Sequence, residues 1–208
     1  MRLTSLRVAE LIDAFRSTNP TPGGGSAAAL AGAVGAALLA MVAAMPKNRA
    51  ASEDDAARLR GAAGRSSTLS DALLELVDRD SDAYDAVVSA YRLPKGSDDE
   101  KAARATAIAA AMRKAVAAPL ETMQRAADAL AMATVVAQLG TRNAASDVEV
   151  AIELLVAAAR GARANVEINL ESLSDATYAG ESKAEVERLA RQCTDAAAEA
   201  RLVIHPRG

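Results

Sequence analysis

Between Ala27 and Met45 the chain carries no charged residue, and more than half of that run is alanine and glycine. A neutral stretch of this length fits either a bilayer, which about 20 apolar residues span, or the centre of a helical bundle, where a helix is covered all round. Alanine and glycine gain little from lipid. A helically spaced set (Leu3, Leu6, Leu11, Ile12, Phe15) precedes the run, and the basic start of a secretory leader is missing. These features favour the bundle, and with it a cytoplasmic protein with no membrane partner.

The flanking sequence gives the same answer. The first amphipathic helix ends near Ser17, because Asn19 to Gly25 holds two prolines and three glycines. The buried helix runs from about Ser26 to Met45, stopping near Pro46. Ser52 caps a helical region reaching Tyr91, with a possible break at Gly61 to Gly64. Capping boxes begin at Ser97, Ser146 and Ser182, each followed three residues later by glutamate. They open helices ending near Gly140, Leu173 and Val203, the first kinked or divided at Pro119. No strand-like alternation intervenes. The expected fold is all-α: one domain over residues 1–208, a compact bundle of long helices around the Ala/Gly-rich one.

Composition narrows the chemistry. A net charge of −3 with mixed signs does not suit a nucleic-acid partner. Cys193 is the only cysteine and His205, expected in a frayed tail, the only histidine, so a Cys/His zinc site is excluded and no metal is expected. Carboxylates, amines, hydroxyls and amides must carry any catalysis.

Pro22-Gly23-Gly24-Gly25-Ser26 invites comparison with phosphate cradles. A P-loop needs lysine and Ser/Thr after its second glycine, and here alanines follow. The dinucleotide fingerprint fails at Ala28. Either the bare N–H groups at the mouth of a buried helix receive an electron-rich group, or this is a tight turn between packed helices. Further on, Leu73, Leu76, Val77, Tyr84, Val87, Val88 and Tyr91 share one helix face with Asp80 near its middle, while Asp78, Asp82 and Asp85 point to solvent. A carboxylate on an apolar face is costly unless paired or protonated. Asp80 is therefore a candidate general acid or base, or half of a structural pair. Asp147, Ala151, Leu155, Ala158, Ala162, Asn165 and Asn169 form a second face: a shallow alanine strip with amides at one end and an acid at the other. The amides suit the ring nitrogens and carbonyls of a ligand, or a neighbouring helix. Lys95 lies at the sharp exit Arg92-Leu93-Pro94-Lys95, where a lysine is ordinarily solvated.

PTPGGGSAAALAGAVGAAL (20–38), DRDSDAYDAVVSAYRLPK (78–95), AVAAPLETM (115–123) and NAASDVEVAIELLVAAARGARANVEINL (143–170) resemble, in this order, the cyclodeaminase/cyclohydrolase family of folate enzymes. That family includes the C-terminal domain of formiminotransferase-cyclodeaminase and stand-alone methenyltetrahydrofolate cyclohydrolases. The resemblance implies a helical homodimer that binds a reduced folate in a cleft without a cofactor. It assigns Asp80, Lys95 and Asp147 to catalysis. Pro22, Gly23, Gly24, Gly25, Ser26, Tyr84, Asn143, Asn165 and Asn169 are assigned to substrate binding. Glu149 departs from the pattern, since the family often has glycine there; it would complete a helix cap or reach towards the ligand. With no transferase domain attached, hydrolysis of 5,10-methenyltetrahydrofolate to 10-formyltetrahydrofolate is the expected reaction. The alternatives are formiminotetrahydrofolate cyclodeamination, with release of ammonia, and a non-catalytic folate-binding dimer.

Overall fold

The computed structural model describes residues 2–205, which contain helices and no strand. Six α-helices follow a short 3-10 turn at Leu3–Ser5: α1 (Val8–Arg16), α2 (Gly24–Ala44), α3 (Glu53–Tyr91), α4 (Asp98–Leu139), α5 (Ala145–Glu171) and α6 (Ala176–Ile204). The all-α expectation holds. The neutral run is α2, seated between α3 and α5 with α4 behind it, while α6 crosses α4 and α5. Leu39, Leu73, Leu76, Leu130, Ile152 and Leu155 are among the fully buried side chains at the centre.

Glycine decides how close α2 comes to α5. A Cβ on Gly35 would stand 2.9 Å from the Ala151 carbonyl oxygen and from Leu155 Cγ, and one on Gly32 3.2 Å from Ala158 Cβ. Ala151, Leu155, Ala158 and Ala162 are fully covered. The shallow alanine strip of α5 is therefore the seat of α2.

Two caps are as the sequence predicts. Ser52 accepts from the Asp55 N–H (3.1 Å), and Ser97 and Glu100 form a reciprocal box (3.2 and 3.1 Å). Other expectations need correction. α3 runs through Gly61 and Gly64 without a break, since a Cβ at either would meet nothing and only propensity opposes helix there. α4 continues through buried Pro119 undivided. Ser146 is not a cap: a 3-10 turn at Arg142–Ala144 leads straight into α5, leaving Ser146 inside its first turn. Ser182 is buried inside α6, because Asp175 caps that helix earlier, accepting from the Tyr178 N–H at 3.0 Å. The first helix is also split. Asp78, expected in solvent, accepts from the Leu3 N–H (2.5 Å) and the Thr4 hydroxyl (2.6 Å), pinning the 3-10 turn to α3.

Candidate functional site

The glycine-rich turn delivers the chain to the N-terminus of α2 with Gly23 as N-cap and Gly24 and Gly25 already helical. Their N–H groups precede the first intrahelical bonds and present partial positive charge. Asp80 of α3 lies against this end. The Ser26 hydroxyl, itself fully buried, donates to Asp80 Oδ2 at 3.0 Å, and the Ser26 N–H also bonds the carboxylate. Ser81 Oγ is 3.1 Å from Ser26 Oγ, which extends the chain of hydroxyls. A Cβ on Gly25 would stand 2.5 Å from Asp80 Cγ, an impossible approach. Glycine at 25 is thus required for the carboxylate to rest on the helix end. At Gly23 and Gly24 a Cβ would meet only ordinary contacts, at 3.7 and 3.5 Å.

Burial raises the Asp80 pKa above the usual carboxylate value of 3.8, and the Ser26 side-chain and backbone hydrogen bonds partly oppose the rise. The folded protein holds this proton where the unfolded chain has already lost it. The contribution to stability is therefore full below 3.8 and is lost as pH rises through the folded value, above which ionised Asp80 destabilises the fold. A carboxylate kept at such a cost and poised upward suits proton transfer.

Asn165 completes this end. A Cβ on Gly24 would meet its Nδ2 at 3.5 Å, and that amide donates to the Gly161 carbonyl at 2.8 Å. Pro22 leads into the turn, and Tyr84, one helical turn beyond Asp80, has its ring partly in solvent. Asn169 takes the second of the two roles open to these amides, a bond to a neighbouring helix. Pro119 has no N–H to donate to the carbonyl four residues earlier, that of Ala115. Asn169 Nδ2 donates to this carbonyl instead, at 2.7 Å, joining α5 to α4. The signal was available: an in-helix proline frees a known carbonyl, and a buried amide is the natural donor.

The remaining candidates lie elsewhere. Lys95 is exposed in the turn after α3, about 17 Å of helix axis beyond Asp80 already separating Tyr91 from it. Asn143, exposed, and Asp147, half-buried, stand at the opposite end of α5 from Asn165. Eighteen residues of helix put Asp147 about 27 Å from Asn165 along the axis. Glu149 neither caps α5 nor turns towards Asp147. It faces α6, where Arg201 Nε bonds it at 3.1 Å and His205 Nε2 lies 3.5 Å away. Cys193 is buried, and burial together with the charge of Asp128 pushes its thiol up to about 11, so it is no nucleophile. Concavities of 720 Å³, lined by Arg58, Gln138 and Arg188, and of 340 Å³, lined by Arg49, Thr141 and Arg142, include none of the candidates.

Residues 7–188 match the family described as Formiminotransferase-cyclodeaminase. The chain is 37% identical over 178 residues to a methenyltetrahydrofolate cyclohydrolase of Methylorubrum extorquens, covering 86% of each chain. It is 35% identical over 139 residues to the formimidoyltransferase-cyclodeaminase of Sus scrofa, covering 67% of this chain and 26% of that one. It therefore spans about a quarter of that relative's length. The crystal structure of a formiminotetrahydrofolate cyclodeaminase from Thermotoga maritima has the same fold, with TM-score 0.86 at 25% identity over 98% of both chains.

Proposed function

Because the chain belongs to the formiminotransferase-cyclodeaminase family, we propose that it is a methenyltetrahydrofolate cyclohydrolase, converting 5,10-methenyltetrahydrofolate and water to 10-formyltetrahydrofolate. The observation that carries the reading is the match along most of both chains to a cyclohydrolase, together with a raised, half-buried carboxyl at the site. Ionised Asp80 takes a proton from water as its oxygen attacks the cationic carbon between N5 and N10. The carboxyl returns that proton to N5 as the C–N5 bond breaks, and the hydroxyl proton leaves as the formyl C=O forms. One water is consumed and one proton released. Ser26 holds the carboxylate, and Pro22 to Gly25 with Asn165 border the bound pterin.

Tyr84 and Lys95 would meet the outer part of the substrate, Lys95 as a cation for a carboxylate. Asp147 and Asn143 would steady the cationic bridge or carry a second proton. Asn169 reaches the site only through the helix it fixes. Metal and redox cofactors have no part in this chemistry. The family resemblance supports a homodimer, the lone Cys193 a reducing, cytoplasmic setting, and mixed charge with an alanine-rich bundle a protein that needs neither nucleic acid nor membrane.

Purified protein mixed with 5,10-methenyltetrahydrofolate should abolish the absorbance of the methenyl bridge faster than buffer does. No acceleration there, with ammonia released from 5-formiminotetrahydrofolate, would identify a cyclodeaminase, the activity named for the Thermotoga and pig relatives. Tight folate binding without either reaction would identify a binding protein.

A further inference from the structure

Ser26 has a single hydroxyl proton and two neighbours that could receive it, Asp80 Oδ2 at 3.0 Å and Ser81 Oγ at 3.1 Å. Beside an ionised carboxylate the proton goes to Asp80, because a charged acceptor makes the stronger bond. Ser81 must then donate to Ser26, whose oxygen is free to accept. A proton on Asp80 Oδ2 turns every bond round. The carboxyl donates to Ser26, Ser26 donates to Ser81, and the Ser81 proton points out of the chain. The state of Asp80 therefore sets the direction of both hydroxyls. The chain also has an inside and an outside. Ser26 is fully buried in the first turn of α2, whereas Ser81 is half-buried on α3 and borders solvent. A methyl group at Gly25 would overlap the carboxylate, so no water fits between Asp80 and the helix end.

We propose that Ser81 is the exit for the proton that the hydrolysis releases, passing it from Asp80 through Ser26 to water while the folate still covers the site. The role rests on the cyclohydrolase reading. In that reaction the hydroxyl on the former bridge carbon gives up its proton as the formyl C=O forms. Asp80, ionised again after protonating N5, is the base at hand, and it must be discharged before it can act on the next water. A pterin against the glycine turn closes the open approach to the carboxyl, which leaves the hydroxyl chain. A half-turn about Cβ–Cγ, a broad and roughly twofold torsion, sets the proton on Oδ2. The Asp80 proton then moves to Ser26 Oγ, the Ser26 proton to Ser81 Oγ, and the Ser81 proton to a surface water. Each O–H bond broken is matched by one formed. The carboxylate is restored with Ser26 donating to it, as in the structure. Ser81 touches no reacting atom: it is a positioning residue that acts through Ser26, and its hydroxyl is the part that matters.

Stopped-flow mixing of the protein with a few equivalents of 5,10-methenyltetrahydrofolate separates this role from mere support of Ser26. An enzyme that starts with Asp80 ionised completes one turnover before any proton must leave. Ser81→Ala should therefore show a first turnover within about twofold of the wild type and later turnovers about tenfold slower, a burst that the wild type lacks. Ser81→Cys, which fills the same space with a weak donor, should show the same burst. Ser81→Thr, which keeps a hydroxyl, should match the wild type in both phases. A first turnover slowed as much as the later ones would make Ser81 a prop for Ser26 and overturn the exit. Wild-type kinetics in Ser81→Ala or Ser81→Cys, or a burst in Ser81→Thr, would overturn it as well. If the wild-type protein opens no methenyl bridge, the cyclohydrolase reading fails and the exit falls with it, whereas a missing burst in an active protein removes the exit alone.

Discussion

The two ends of α5 carry the same sequence signal, polar residues on a face otherwise made of alanine and leucine, and the structure treats them differently. At the Asn165 end the polar groups are built in. Asp80 rests on the α2 N-terminus, Ser26 donates to it, and the missing side chain of Gly25 makes the space. At the Asp147 end, Asn143 and Asp147 make no hydrogen bond or ion pair among the described residues, while their neighbour Glu149 is tied to α6. Preorganisation suits the first end to the proton transfer proposed for Asp80. The second has no comparable preorganisation among the described residues.

The comparison breaks first at Gly25. Gly25→Ala must displace the carboxyl, and turnover should fall by about a hundredfold or more, the scale of losing a positioned general base. Wild-type turnover in this variant would show that Asp80 need not sit on the helix end. Ser26→Ala leaves burial less opposed, so the Asp80 pKa rises further and the acid limb of the turnover profile moves to higher pH. The rate should drop about tenfold for one lost hydrogen bond to a charged group. An unmoved limb would detach that titration from Asp80.

Smaller effects sharpen the contrast between positions that look alike. Asn169→Ala orphans the Ala115 carbonyl and should cost about 1–2 kcal/mol of stability in denaturant unfolding. Folate affinity should be unchanged within about twofold; a large rise in KM at unaltered stability would return Asn169 to the ligand. Glu149→Gln weakens the half-exposed pairing with Arg201 and should alter thermal stability by less than about 1 kcal/mol, with turnover essentially as in the wild type. A marked change in substrate preference would mean that this side chain reaches the cleft after all.

Much of the fold was legible because helix signals are local. Proline and glycine bounded α2, and the Ser52 and Ser97 caps depend on atoms three residues away. The misreadings arose where a local pattern met a distant neighbour. Ser182 has the spacing of a box, yet Asp175, paired with Arg113 and capping Tyr178, starts α6 earlier. The α5 alanines announce a shallow surface, but their period cannot say whether a ligand or another helix fills it, and Gly32 and Gly35 let α2 do so. Asp80 was findable because an acid among leucines and valines breaks a pattern. Which of three glycines faced it was not, since that depends on the register of α2 against α3. That Asp147 stands at the far end from Asn165 and Asp80 was equally hidden, because separation along the chain does not reveal that Gly24 lies beside Asn165 and Gly35 beside Ala151, an antiparallel pairing of α2 and α5.

The most direct test of the central claim is Asp80→Asn, measured for turnover of 5,10-methenyltetrahydrofolate and, in parallel, for folate affinity and thermal stability at neutral pH. Proton transfer by Asp80 predicts turnover at least about a hundredfold lower, with affinity held within about threefold. Removing a buried charge should leave stability at or above that of the wild type. Wild-type turnover in this variant would contradict the account, and so would a loss confined to affinity.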